Sequence, residues 1–114
     1  MAVPAELKYF DGLIFLDLLP GSRRARVSND PDDRNWPFYF YYDDEKLACG
    51  ERELVGLEVL DVSNITDYWL SELDKMEGLP RVDVPDLGLM DMTISDVLRW
   101  AKQTYPSRYS KATG

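Results

Sequence analysis

The chain has 114 residues, 45% of them apolar, with 21 acids against 13 bases for a net charge of −8, one cysteine and no histidine. Such a length fits one domain, the apolar content is too high for a disordered acidic segment, and no apolar run approaches the ~20 residues that span a bilayer. Without histidine, Ser-His and Cys-His nucleophile activation, histidine-ligated zinc and histidine proton shuttling are excluded within the chain, and the lone Cys49 forms no internal disulfide.

The acids are unevenly spread: residues 61–96 hold nine against two bases, while residues 97–114 hold four bases and no acid. A net acidic chain repels a phosphate backbone, so a nucleic-acid ligand is not expected. Its surface suits a basic protein, and it also keeps a small domain soluble. The N-terminus shows no basic stretch followed by an apolar segment and a small-residue cleavage site, so a cytoplasmic location is expected, with no membrane attachment.

In chain order, Ala5 to Asp11 leads into an apolar run, Leu13 to Leu19, closed by Pro20-Gly21 and read as a strand. Asp17 interrupts its apolar face, which predicts a wet strand end. Ser22 to Asn35 reads as a polar loop whose Arg23, Arg24 and Arg26 form either a small anion-binding patch or, more commonly for such a group, a solvated flank that pairs with nearby acids. Asp30 and Asp32 match the first two ligands of a calcium loop. Arg34 stands where the third oxygen ligand belongs, and no glycine or distal glutamate is in register, so an EF-hand is rejected.

Trp36-Pro37 opens a second strand, Phe38 to Tyr42. Alternation sends Phe38, Phe40 and Tyr42 to one face and Tyr39 and Tyr41 to the other. One face packs in the core. The tyrosines of the other are amphipathic and suit either a recognition surface or a helix-covered layer. Asp43-Asp44-Glu45 reads as a turn whose three adjacent acids cannot all enter one cleft, and Cys49 is reactive only if a cation or a helix start lowers its pKa, which nothing in the local sequence promises. A third strand, Glu53 to Asp61, turns Val55, Leu57 and Val59 inward, with Glu53, Gly56 and Glu58 on the other side. Gly56 marks a close approach or a bulge.

The tyrosine-rich strand, the Asp-Asp-Glu turn and Leu54-Val55-Gly56-Leu57-Glu58-Val59-Leu60-Asp61-Val62-Ser63 resemble a family of small uncharacterised bacterial and phage domains. The core of that family is a Tyr-Asp turn followed by Val-Gly-Ile-Glu-Ile-Leu and Asp-Ala-Ser. Its N-terminal strand is similar to Tyr9 to Leu16 here, so the resemblance covers about residues 7–64. It implies a three-stranded meander, and, because some members neighbour small toxin-like genes, an antitoxin or partner-binding role. It carries no catalytic residues, and this chain departs from it in the 20–36 insert and in the expanded turn around Cys49-Gly50-Glu51.

Two helices follow. Asn64 with Asp67 forms a capping pair for the first, whose stripe is Ile65, Tyr68, Trp69, Leu73 and Met76, with Gly78 as the stop. Leu79 to Asp91 is an extended connector in which Val82-Asp83-Val84 could add an edge strand. Thr93, with Asp96 three later, caps the last helix, and Met92 can staple onto Val97. Ile94, Val97, Leu98 and Ala101 form its buried stripe, Trp100 lies to the side, and Pro106 ends it.

The expected fold is α+β: a small antiparallel meander of three to four strands packed against two C-terminal helices. One domain covers 1–114, with the sheet over 7–63, the helical cover over 64–106 and a flexible basic tail over 107–114. The expected function is a non-enzymatic acidic protein-binding module, antitoxin-like or an inhibitor of a basic effector, with no cofactor and no metal. Its candidate partner-binding residues are Tyr39, Tyr41 and Trp100, with Asp43, Asp44, Glu45, Glu72 and Asp74 as the acidic complement. The alternatives are a phage-type anti-defence inhibitor mimicking nucleic-acid charge, a carboxylate enzyme holding Mg²⁺ on Asp30, Asp32, Asp43 or Asp44, and a homodimer formed through the open sheet edge or the aromatic face.

Overall fold

The computed structural model describes residues 2–18, 25–28, 37–51, 53–76 and 78–109. The elements in chain order are β1 (Val3–Pro4), β2 (Glu6–Phe10), β3 (Leu13–Asp17), β4 (Ala25–Ser28), β5 (Phe38–Tyr42), α1 (Asp44–Ala48), β6 (Leu54–Val59), α2 (Asp67–Asp74), β7 (Val82–Val84), β8 (Leu89–Met92) and α3 (Ile94–Thr104). The α+β class is observed, with an antiparallel sheet and helices C-terminal to it.

The strand order adds to that expectation. The main sheet has five strands in the order β2-β3-β6-β5-β4, all antiparallel. β6 therefore sits between β3 and β5, so the N-terminal strand pairs with the third apolar segment and not with the aromatic one. The Tyr9 to Leu16 stretch is not one strand either. Asp11 (φ 47°) and Gly12 (φ 94°) fold it into a hairpin, as the paired positive φ values of a two-residue type I′ turn require. Ala25–Ser28, read from sequence within a loop, pairs with β5.

A second, three-stranded sheet, β1-β7-β8, draws on the chain's first residues and on the 79–91 connector. Val82–Val84 is thus its central strand, with Val3 opposite Val82 in parallel and Val82 opposite Met92 antiparallel. The Asp43–Glu45 turn becomes the start of α1, where the Asp43 side chain accepts from the Lys46 amide (3.0 Å). Asp30, Asp32 and Arg34, weighed above as a calcium loop, lie outside the described residues.

One core joins the layers. Ile14, Leu16, Phe38, Phe40, Leu57 and Val59 from the sheet meet Leu70 and Leu73 of α2, Val82 and Val84 of β7, and Ile94, Val97, Leu98 and Ala101 of α3. The stripe expected on α3 is the one buried, and Thr93 caps it by accepting from the Asp96 amide (3.1 Å). In α2 the cap is Thr66, which accepts from the Trp69 amide (3.3 Å), and not Asn64. Asn64 instead closes a 3₁₀ turn over Val62–Asn64. The later start leaves Leu70 and Leu73 inward, while Tyr68 is 62% exposed.

Candidate functional site

Registers define what each face of the main sheet displays. Side-by-side residues of neighbouring strands share a face. Ile14, Leu57 and Phe40 point to the core, so the opposite face carries two cross-strand rows, Glu6–Asp17–Gly56–Tyr41 and Lys8–Phe15–Glu58–Tyr39, with Phe10 beside Leu13 at the hairpin end. Leu60, one residue beyond the Val59–Ile14 pair, falls next to Leu13 by the same alternation. α2 and α3 bury their apolar stripes on the other side.

The middle of the face is built around Gly56. A Cβ there would lie 2.8 Å from Phe15 Cζ, so the absent side chain leaves the space in which the Phe15 ring lies. Phe15 then meets Tyr41 edge-on, centroids 5.3 Å apart, and the Tyr41 hydroxyl donates to Glu58 Oε1 (3.1 Å). Tyr39 and Tyr41 are half-buried. Asp17, expected at a wet strand end, is 1% exposed, with Lys8 Nζ 3.5 Å from its carboxylate.

The hairpin end differs. Phe10 is 79% exposed, Leu60 45% and Tyr109 72%, and with Leu13, Asn64 and Arg108 they line a groove of about 460 Å³. Its floor is held by Asp61, 3% exposed. Asp61 Oδ2 accepts from the Ser63 amide (2.9 Å), the Ser63 hydroxyl and the Ser107 hydroxyl (2.7 Å), and Oδ1 accepts from the Arg108 amide (3.0 Å). Burial pushes this carboxyl up, but the Ser107 and Ser63 hydroxyls and the Arg108 and Ser63 amides outweigh it and hold its pKa at about 2. Ser107–Tyr109, placed by sequence in a flexible tail, are therefore tied down. The Tyr105 ring stacks on Tyr9 (4.4 Å), and the Tyr9 hydroxyl donates to the Pro106 carbonyl (2.6 Å).

The sequence-derived candidates are not brought together. Tyr39 and Tyr41 lie on the outer face, whereas Trp100 is on the helical side, half-buried against the core and edge-on to Tyr105 (5.7 Å). Asp43, Asp44 and Glu45 sit at the start of α1, at the end of β5, opposite the hairpin end of the sheet. Glu72 pairs with Lys75 one turn on. Asp74 accepts from the Ser95 hydroxyl and so joins the end of α2 to the start of α3.

Phe10, Leu13, Leu60 and Tyr109 escaped the sequence reading. The signal for three of them was present: Asp11-Gly12 between alternating apolar residues marks a hairpin, and the turn places Phe10 beside Leu13. Tyr109 had no such signal, because its position depends on a contact with Asp61 across the chain. No family model matches this chain, and no curated protein and no solved structure matches it.

Proposed function

We propose that the protein is a non-enzymatic binding module that holds a basic protein partner against the hairpin end of its sheet. The carrying observation is the cluster of Phe10, Leu13, Leu60 and Tyr109. Aromatic and aliphatic side chains are exposed together around one concavity, on an uncovered end of the outer face and on a rim pinned by Asp61. Exposed contiguous apolar surface of this kind marks interaction sites, and buried aromatic anchors carry most of the affinity at interfaces. The net charge of −8 favours a basic partner by steering encounter. The absence of histidine supports holding over converting. An antitoxin-like or inhibitory role is the form this binding takes if the resemblance to the small bacterial and phage domains is one of descent.

Nucleic-acid charge mimicry is less favoured. It needs rows of solvent-facing carboxylates in residues 61–96, yet Asp61 is buried, Asp74 serves Ser95, and Glu72, Asp91 and Asp96 pair with Lys75, Arg81 and Arg99.

The test is capture from bacterial lysate at low salt by immobilised wild type and by a Phe10→Ser/Tyr109→Ser variant of unchanged melting temperature. A basic protein should be retained by wild type and lost by the variant, a drop on the order of 30-fold in affinity. Identical proteins on both columns would sink the proposal.

A further inference from the structure

We infer that the partner contributes an extended segment that adds antiparallel to the open edge of β2, with an apolar residue beside Phe10 and a carboxylate beside Lys8. The inference rests on the protein-binding reading above.

The backbone phase of the hairpin sets which groups are available. A two-residue turn at Asp11-Gly12 makes Phe10 and Leu13 a hydrogen-bonded pair, so the Lys8–Phe15 and Glu6–Asp17 pairs are hydrogen-bonded as well. The N–H and C=O of Leu7 and Tyr9 then point away from β3, to the side where no described strand of the main sheet lies. On that same side the Ala5 amide donates to the Asp83 carbonyl (2.8 Å), so β7 already occupies the start of the edge. From Leu7 to Phe10 the edge is open among the described residues.

Proteins blunt such an edge with proline, a bulge or charged side chains, lysine above all. Between Glu6 and Phe10, β2 has no proline and no bulge, and its charges are Glu6 and Lys8, both on the outer face. The edge strand β8 is blunted: Asp91 adopts φ 52°, and the register with β7 shifts between Val82 and Val84. β2 is therefore a regular template four residues long, the arrangement that β-strand addition uses.

Register then dictates the partner's chemistry. Its residues opposite Leu7 and Tyr9 exchange main-chain hydrogen bonds. Those opposite Lys8 and Phe10 form the close, non-hydrogen-bonded pairs and turn their side chains to the outer face. An apolar side chain beside Phe10 extends the Phe10–Leu13–Leu60 row by one strand, next to the groove that Phe10 lines. A carboxylate beside Lys8 meets an exposed ammonium that is shared with Asp17. Read from its N-terminus, the segment is apolar, any residue, acidic.

The probe is a blocked synthetic peptide containing Thr-Leu-Thr-Glu-Thr, added to the ¹⁵N-labelled full chain. Amide exchange at Leu7 and Tyr9 should slow about tenfold at saturation, with resonance shifts at Phe10, Leu13 and Leu60. Replacing the peptide's glutamate with lysine should weaken binding about fivefold. Proline in place of the central threonine, opposite Tyr9, should abolish protection of Tyr9. Unchanged exchange at Leu7 and Tyr9, or equal protection by the proline peptide, would overturn the inference. Protection that appears without peptide and grows with protein concentration would assign the edge to a second copy and overturn it too. If a captured partner depends on Phe10 and Tyr109 but leaves both amides unprotected, the edge inference fails and the binding module stands.

Discussion

Asp61 joins three distant parts of the chain: the turn that follows β6, the C-terminal strap and the tip of the β2–β3 hairpin. Gly12 makes that meeting possible, since a Cβ there would lie 2.1 Å from Asp61 Oδ1 and 2.9 Å from the Arg108 nitrogen, and its φ of 94° disfavours any other residue. Gly12→Ala should therefore cost more than about 2 kcal/mol, by strain and collision together, read as a fall in urea midpoint. The Asp61 carboxyl titrates lower in the folded protein, at about 2, than its ordinary 3.8. A depressed carboxylate stabilises the fold above the unfolded value and loses that contribution as pH falls from about 4 towards 2. Asp61→Asn should cost on the order of 1–3 kcal/mol near neutral pH and flatten the acid limb of the stability profile. An unchanged acid limb would show that other carboxylates set it.

At the level of elements, the two long helices differ in how much of their own placement they carry. Thr93, Asp96 and the 94-97-98-101 spacing specify α3 locally: cap, first-turn acid and buried stripe agree. Thr93→Ala should destabilise by about 1 kcal/mol through loss of the cap, checked by thermal melting. α2 starts at Thr66 because Asp61 to Asn64 are taken by a 3₁₀ turn anchored on the hairpin, where the Val62 amide donates to the Gly12 carbonyl (2.9 Å). That two-residue delay rotates Tyr68 outward and Leu70 inward. Within the sheet, Gly56 does for Phe15 what a side chain could not. Gly56→Ala should displace the ring from Tyr41 and cost about 1 kcal/mol, visible as a change in the tyrosine ring environment by NMR before any loss of secondary structure.

For the molecule as a whole, both sheets and both long helices draw on one apolar cluster, and the chain passes from the small sheet to the large one through the single buried residue Ala5. Among the described residues, neither sheet has a core of its own. Unfolding should then be one transition, with tryptophan fluorescence and far-ultraviolet circular dichroism coinciding in urea. Two separated transitions would mean that the small sheet melts independently.

Local pattern determined the α+β class, the inward set Phe38, Phe40, Leu57 and Val59, and the whole of α3, because period and capping are properties of a few neighbouring residues. Val55, expected inward with them, falls at the irregularity where Tyr42 pairs with Leu54, and Leu54 packs on the core cluster in its place. Two-state alternation also placed Tyr39 and Tyr41 on the second face. The tertiary structure decided the rest: β6 between β3 and β5, Val3–Pro4 recruited beside β7, Asp17 buried, and the strap that carries Tyr109 to the groove. Each of these joins residues far apart in the chain through backbone hydrogen bonds or a shared carboxylate, and such pairings leave no mark on the spacing of either segment alone.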